Sequence, residues 1–196
     1  MDIQVAFFRN MNLGQARSRS PRSAELLDAF AAAGATSAVN FQTNGTVIFT
    51  GDDPATLAES VVTRLTAVTG YADLVVVRSA AWLVDTVGHI DPGLTAGEFV
   101  LFDAPSLSDL VLPHVEPAAT GALVVHALTR DHAVTSATGA GISAGPVLTR
   151  LIDVPVTCRG IPTMRRLVAR LTTVAELQRT TQGVRGRPGT PEVRSR

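Results

Sequence analysis

The sequence contains no lysine, only one cysteine and no long hydrophobic run. The single cysteine, Cys158, excludes an internal disulfide, which fits a reducing compartment. No apolar stretch reaches the roughly 18 residues that a membrane-spanning helix requires. The first residues also lack the basic leader of a secretory signal. We therefore expect a soluble, cytoplasmic protein without a membrane partner, and the sequence does not indicate its oligomeric state.

All 17 basic residues are arginines, and they are concentrated at the two ends of a chain whose net charge is zero. Residues 1–22 carry four arginines against one acid, which gives +3, and residues 23–158 carry four arginines against 14 acids, which gives −10. Residues 159–196 carry nine arginines against two acids, which gives +7. Basic ends can attract an anionic partner. The alternative is that these charges are solvated and only balance the acidic middle.

The first part of the chain alternates strands and helices in the order β-α-β-β-α-β. Capping residues predict helices that begin at Ser20-Pro21 and at Asp53-Pro54. Asn44-Gly45 favours a tight turn between the second and third strands. The predicted strands cover residues 3–8, 39–43, 46–50 and 73–77, and the helices end at Gly34 and Gly70. This order is that of the ferredoxin-like unit.

The second part repeats the order more loosely. Its predicted strands cover residues 98–102, 122–128, 133–136 and 154–158, with helices at Ser106–Leu112 and at 142–151. In both parts the last strand leads into an arginine, Arg78 or Arg159, and then into a helix. We therefore predict an internal duplication and an α+β fold. The fold would consist of two tandem ferredoxin-like β-α-β-β-α-β repeats with mainly antiparallel sheets.

The predicted domain organisation follows from these patterns. Residues 1–78 form the first ferredoxin-like half, residues 79–97 a connecting helix and loop, and residues 98–177 the second half with a C-terminal helix. Residues 178–196 are polar and rich in arginine, glycine and proline, which predicts a disordered basic tail.

Four segments resemble a known protein family. They read AFFRNMNLG at Ala6–Gly14, FQTNGTVIF at Phe41–Phe49, DLVVVRS at Asp73–Ser79 and TCRGIPT at Thr157–Thr163. In these segments the chain is similar to a widespread bacterial family catalogued as domain-of-unknown-function family 1697. The resemblance covers nearly the whole part of the chain predicted to be ordered and is strongest in residues 3–78. The family name carries no activity that could be transferred.

The chain also departs from the pattern of that family. Arg9, Asn12 and Gly14 are kept, as are Arg159 and Thr163 near the other end. In the family a glycine usually follows the first arginine, and here that position is Asn10. The second glycine of a pair is replaced by Gln15. A Gln-Ser-Gly-Asn motif of the family is replaced by residues 43–46. An Asn-Trp-Asn motif is replaced by residues 160–162. Any chemistry of the family would therefore be altered in this protein.

The loop from Arg9 to Arg22 is the candidate binding site. It contains four arginines and no acid, and it ends at a predicted helix N-terminus. Free N–H groups and the positive dipole end favour an anion there, and arginine suits phosphate or carboxylate. The predicted ligand is a small anion, and the predicted contacts are Arg9, Asn10, Asn12, Gly14, Thr43, Asn44, Arg159 and Thr163.

Two other functions stay open from the sequence. One is an enzyme of unknown reaction that uses the same pocket, and the other is a weak nucleic-acid binder that uses the basic tail. The β-α-β-β-α-β order is shared with the RNA-recognition motif, but the third strand lacks the aromatic signature of that motif. Phe7 and Phe8 point to opposite faces, so at most one could stack on a base. We therefore do not expect nucleic acid as the main partner.

The sequence predicts no cofactor, no metal and no reactive thiol. The glycines at 139, 141 and 145 have the wrong spacing for a dinucleotide fingerprint. His126 and His132 lie on one predicted hairpin with Asp131 nearby, but a metal site needs three or four ligands. Cys158 lies in an apolar strand without a histidine close in sequence, and we expect it to pack as a small hydrophobic residue.

Overall fold

A computed structural model describes residues 2–15, 19–106 and 110–185, with side chains as far as Val174. These residues form nine strands and five helices. The strands are β1 (Gln4–Phe8), β2 (Ser37–Gln42), β3 (Thr46–Thr50), β4 (Val75–Ser79), β5 (Glu98–Leu101), β6 (His114–Ala118), β7 (Gly121–Leu128), β8 (His132–Ala137) and β9 (Thr157–Gly160). The helices are α1 (Ser23–Ala32), α2 (Pro54–Thr69), α3 (Ala80–Gly88), α4 (Ala144–Ile152) and α5 (Ile161–Arg185).

The strands form two antiparallel sheets, which confirms the predicted fold class. The first sheet has the order β2-β3-β1-β4, and the second has the order β6-β7-β8-β5-β9. Without its edge strand β6, the second sheet repeats the order of the first, because β7, β8, β5 and β9 correspond to β2, β3, β1 and β4. Both sheets thus have the strand order of a ferredoxin-like unit.

The main departure from the predicted fold lies between β5 and β7. The sequence predicted a short helix at Ser106–Leu112, but residues 106 and 110–112 have no helical backbone, and residues 107–109 lie outside the described residues. The helix prediction is therefore wrong for the residues that are described. A seven-residue segment gains few backbone bonds as a helix, whereas the residues after it pair with β7 as the additional strand β6.

The start of α1 also differs from the prediction. The helix begins at Ser23, and the N–H of its N-cap residue Arg22 donates to the Glu25 carboxylate at 2.7 Å. The N-cap position is Arg22 and not Ser20, whose hydroxyl accepts a hydrogen bond from the N–H of Asn12 at 2.9 Å. Ser20 therefore fastens the loop after β1 to the entrance of the helix.

The two sheets share one apolar core. One face of each sheet contributes to it, together with α3 and α5, and its members include Phe7, Phe99 and Leu167. The opposite face of the first sheet packs against α1 and α2, and the opposite face of the second sheet packs against α4. Phe7 and Phe8 are both fully buried, on opposite faces of β1. Neither ring is therefore available to stack on a base.

The last helix is longer than the sequence indicated. The prediction ended the ordered chain near Leu177, whereas α5 continues to Arg185. The rest of the predicted basic tail, residues 186–196, lies outside the described residues. Within the described part of the chain, none of the helices combines the length and the apolar character needed to cross a bilayer.

Candidate functional site

Two arginines at equivalent positions reach from one half of the molecule into the other. Arg78 lies opposite Val5 in the β1–β4 pair, and Arg159 lies opposite Phe99 in the β5–β9 pair. Each is the second-last residue of its closing strand and is followed directly by a helix. The sequence predicted these two junctions but not that each side chain would bind the opposite half.

The Arg159 guanidinium is buried and its donors are fully used. Its NH2 group donates to the main-chain carbonyls of Phe8, Asn44 and Gly45 at 3.0, 2.8 and 3.2 Å. Its Nε donates to the Thr46 hydroxyl at 2.9 Å, and its NH1 group to residues 157 and 158 of its own strand. All six acceptors are neutral oxygens, so within the described residues this cation has no carboxylate partner at hydrogen-bonding distance. Burial lowers the pKa of Arg159 to about 10.

Arg78 makes the corresponding contacts in the opposite direction. Its NH2 group donates to the carbonyl of Phe102 at 2.5 Å and to the carbonyl of Asp131 at 3.1 Å. The same nitrogen forms an ion pair with the Asp103 carboxylate at 2.8 Å. Phe8 stands at the end of β1 and Phe102 directly after β5. Their carbonyls thus accept equivalent hydrogen bonds, from Arg159 and from Arg78, as an internal duplication would produce.

The two junctions differ in charge. The acid that neutralises Arg78 is Asp103, which follows Phe102 in the sequence. At the equivalent place after Phe8 stands Arg9. The junction of Arg159 therefore has a second cation where the junction of Arg78 has an anion.

The junction of Arg159 forms part of a cleft of about 420 Å³. The cleft lies between the loop after β1, the first turns of α4 and the strand β9. It brings together three of the predicted ligand contacts, Arg9, Asn10 and Arg159. The other residues of its lining are Ser143, Gly145, Pro146, Thr149, Val156, Thr157 and Cys158.

An acid of the protein itself already contacts the two residues from the first loop. The Arg9 guanidinium lies 3.7 Å from the Asp73 carboxylate, and the Asn10 amide donates to the same carboxylate at 2.8 Å. Asn10 adopts a left-handed backbone with φ 53°, a conformation that asparagine tolerates well. Asp73 therefore occupies the position that an anionic ligand would take on these side chains.

The other predicted contacts lie outside the cleft lining. The Asn44 carbonyl binds Arg159, but its side chain is bonded to Gln42 and Thr46. The Thr163 hydroxyl accepts from Arg166 at 3.2 Å. Asn12, Gly14 and Thr43 are exposed and contribute main-chain atoms to local loop contacts. Arg17, which belongs to the predicted loop, lies outside the described residues.

The cleft and the residues next to it include polar groups that sequence reasoning missed. The Thr149 hydroxyl is buried and has no hydrogen-bond partner among the described residues. Tyr71 donates to the carbonyl of Arg9 at 2.6 Å and holds the loop in place. Both residues are distant in sequence from the arginine-rich loop, and of the groups that were missed only Asp73 lies in one of the family-like segments.

The single thiol, Cys158, lies in this cleft and is not activated. Burial, and then the nearby Glu98 carboxylate, raise the pKa of the thiol to about 12, although Arg159 and Arg9 oppose the shift. The side chain is partly buried against the apolar cluster between α4 and the second sheet. The interpretation of Cys158 as a small hydrophobic residue fits this environment.

We predict that Cys158 reacts slowly with thiol reagents in the folded protein. Since the thiolate is the reactive form, raising the pKa from about 9 to about 12 should slow labelling by about 1000-fold at pH 8. The measurement is the rate of reaction with Ellman's reagent in buffer and in guanidinium chloride. The denatured chain is the matched control, because the sequence has one cysteine. Equal rates in the two conditions would contradict the buried, protonated thiol.

The glycine-rich segment before α4 does not present a free helix N-terminus. The main-chain N–H of Ala144 donates to the Glu98 carboxylate at 2.6 Å. A carboxylate is a favourable partner for the positive end of a helix. A dinucleotide phosphate at this helix would have to displace Glu98, which agrees with the incorrect glycine spacing in the sequence.

Comparison with known proteins supports the fold class derived above. The family described as "Protein of unknown function (DUF1697)" matches residues 1–95, which confirms the resemblance found in the sequence for that part of the chain. A solved structure of a conserved bacterial protein from Streptococcus pneumoniae is 15% identical and has a TM-score of 0.57. The match covers 88% of this chain and 99% of that chain, and it shows a shared fold. No curated protein matches the chain.

Proposed function

We propose that the protein is a binding module for a small anion of the phosphate or carboxylate type. The module would consist of the proposed halves, residues 1–78 and 98–177, with the ligand in the cleft beside Arg9 and Arg159. The observation that carries the proposal is the charge of this junction. Arg159 is buried among neutral oxygens, and Arg9 stands at the position where the other junction has Asp103.

The ligand would be held mainly by Arg9 and Asn10. Arg159 has no free donor, so its contribution would be the field of a buried cation, which is screened less than a surface charge. Arg9 and Asn10 would exchange the Asp73 carboxylate for the ligand. The exposed hydroxyl of Ser143 and the buried hydroxyl of Thr149 are further polar groups in the lining.

The described lining of the cleft gives little support to the enzyme alternative. Its titratable lining residues are Arg9, Arg159 and Cys158, and the two carboxylates next to the lining are already bonded, Asp73 to Arg9 and Asn10 and Glu98 to the N–H of Ala144. General acid–base catalysis requires a group that changes protonation near the working pH. A binding role therefore fits this cleft better than a catalytic role.

We predict opposite effects of two substitutions on phosphate binding. Arg9→Ala removes a charge-assisted contact and should weaken binding of inorganic phosphate at least about tenfold. Asp73→Asn removes the competing negative charge and should strengthen binding by a similar factor, because Arg9 then loses its ion-pair partner. Isothermal titration calorimetry with phosphate, and in parallel with acetate, measures both changes.

The matched control is Arg64→Ala, which removes an exposed arginine from α2. It should leave the affinity for phosphate unchanged. If Arg9→Ala and Arg64→Ala have the same effect, phosphate binds only through the overall charge. If Asp73→Asn weakens binding, Asp73 is not a competitor of the ligand and the proposed site is wrong.

A further inference from the structure

A second cleft, of about 280 Å³, lies on the other side of the second half. It is formed by the end of α3 with the following loop and by the inner face of the β7–β8 hairpin. Its walls include the apolar side chains Ile90, Leu94 and Val134, and its polar groups include His126 and His132. Its volume lies just below the usual range for ligand sites, about 300–1,000 Å³.

His132 is held in this cleft by an acid. Its Nδ1 lies 2.7 Å from the Asp131 carboxylate and 2.8 Å from the Thr129 hydroxyl, which itself donates to Asp131 at 2.6 Å. Although burial opposes it, the hydrogen bonds from Thr129 and His132 hold the pKa of Asp131 below its usual value. An ionised carboxylate only accepts, so Nδ1 of His132 carries the proton of this contact, and in the neutral form of the ring Nε2 is an acceptor.

Aromatic side chains fix the orientation of the same ring. The imidazole is stacked on Phe99, with 5.2 Å between ring centroids and an angle of 15°, and it meets Trp82 at 5.5 Å and 81°. The His132 side chain is 13% exposed. Among the residues that the structure describes, Nε2 has no hydrogen-bond partner. With Nδ1 bound to Asp131, the edge that carries Nε2 is the part of the ring that can face the cleft.

The equivalent position in the first half has a different role. His132 lies opposite Leu101 in the β5–β8 pair, as Thr46 lies opposite Phe7 in the β1–β3 pair. The Thr46 hydroxyl accepts from Nε of Arg159. At the other junction, Nε of Arg78 is buried without a partner among the described residues. His132 therefore does not accept a hydrogen bond from Nε of Arg78 as Thr46 does from Nε of Arg159. Its acceptor nitrogen Nε2 is left for another donor.

We propose that this cleft binds a small, mainly apolar molecule with one hydroxyl or N–H group, which donates a hydrogen bond to Nε2 of His132. The apolar part of the molecule would contact Ile90, Leu94 and Val134. Phenol has this chemistry and serves as the probe. This second site is independent of the anion site, because it shares no lining residue with the cleft of Arg9.

The test compares phenol with anisole, which has a similar shape but no donor. We expect phenol to bind on the order of fivefold more tightly to the wild-type protein, the usual effect of one net hydrogen bond. Long-range ¹H–¹⁵N spectra of protein labelled at histidine should show Nδ1 of His132 protonated and the Nε2 signal shifted by phenol. The chain has four histidines, so single substitutions assign the signals.

Two variants remove the acceptor in different ways. His132→Phe keeps a ring against Phe99 and should abolish the preference for phenol over anisole. Asp131→Asn keeps the imidazole but favours the other tautomer, as in the Asp-to-Asn variant of a serine protease triad, and should also reduce the preference. His114→Gln, on the edge strand β6, is the control that should retain it.

Three results would overturn the proposal. The first is equal affinity for phenol and anisole in the wild-type protein, and the second is no detectable binding of either probe at millimolar concentration. The third is a preference for phenol that persists in both His132→Phe and Asp131→Asn. If His132→Phe does not fold, Asp131→Asn alone decides, because Asp131 is partly exposed and its substitution leaves the ring packing intact.

Discussion

Replacing Arg159 with methionine is expected to reduce the free energy of unfolding by about 3–5 kcal/mol. Methionine fills much of the same space, but it leaves the carbonyls of Phe8 and Asn44 without the guanidinium donor that satisfies them. The Gly45 carbonyl loses its contact with Arg159 but keeps the N–H of Phe8 as a donor, at 2.8 Å. Buried carbonyls that lose their partner cannot recover it from water, so the full desolvation cost appears as lost stability. The contact of Arg159 with the Phe7 ring, at 5.6 Å, would also be lost.

This effect can be measured by urea unfolding at 25 °C, followed by circular dichroism. Arg170→Met, on the helix that follows Arg159, is the matched control, because Arg170 is exposed, and it should change stability by less than about 0.5 kcal/mol. Arg159→Lys should recover little of the loss, since a single ammonium group has three donors and cannot span acceptors from both sides of the planar fork. Equal stability of the Arg159→Met and Arg170→Met variants would contradict a structural role for the buried guanidinium.

The features that sequence reasoning predicted well are those set by local chemistry. Asp53-Pro54 and Gly70 mark the ends of α2 because a carboxylate can cap N–H groups and glycine adopts a positive φ easily. Asn44-Gly45 lies in the turn between β2 and β3 for the same kind of reason. Each of these signals depends on two or three adjacent residues.

Contacts between distant residues were predicted only in part. The sequence suggested that Arg9 and Arg159 would converge, and the two line one cleft. It did not indicate that the Asp73 carboxylate would form an ion pair with Arg9. It also did not indicate that Arg159 would donate all its hydrogen bonds to neutral oxygens. Whether an arginine is free for a ligand depends on which main-chain groups lack partners nearby, and only the three-dimensional arrangement determines that.

The surroundings of Asp131 and His132 are a second case in which contacts between distant residues could not be predicted from the sequence. The sequence placed His126 and His132 on one predicted hairpin with Asp131 nearby, and it gave no role to the imidazole of His132. The stacking of His132 on Phe99 depends on the register of β5 with β8, which places Leu101 opposite His132. Strand register is a property of the whole sheet.

The other large effect is expected from Gly97→Ala, which should cost about 4 kcal/mol or more. Gly97 precedes β5 with φ +127°, and a Cβ there would lie 2.1 Å from the carbonyl oxygen of Thr135. The obstacle is main chain of the paired strand β8, so a change of rotamer cannot relieve it. The carbonyl of Gly97 also accepts the N–H of Ile161, the first residue of α5. Any shift of Gly97 therefore disturbs both the β5–β8 pairing and the junction that follows Arg159.

Gly34→Ala provides the matched control for this substitution. Gly34 also has a positive φ, +96°, but nothing lies within 4 Å of the place that a Cβ would take there. Its substitution should cost only the backbone strain, about 1–2 kcal/mol. Comparing the urea midpoints of the two variants separates steric conflict from strain. The double variant Gly97→Ala with Thr135→Gly should not recover stability, because the carbonyl oxygen remains in place. Full recovery would mean that the Thr135 side chain, rather than the main chain of β8, fixes the start of β5.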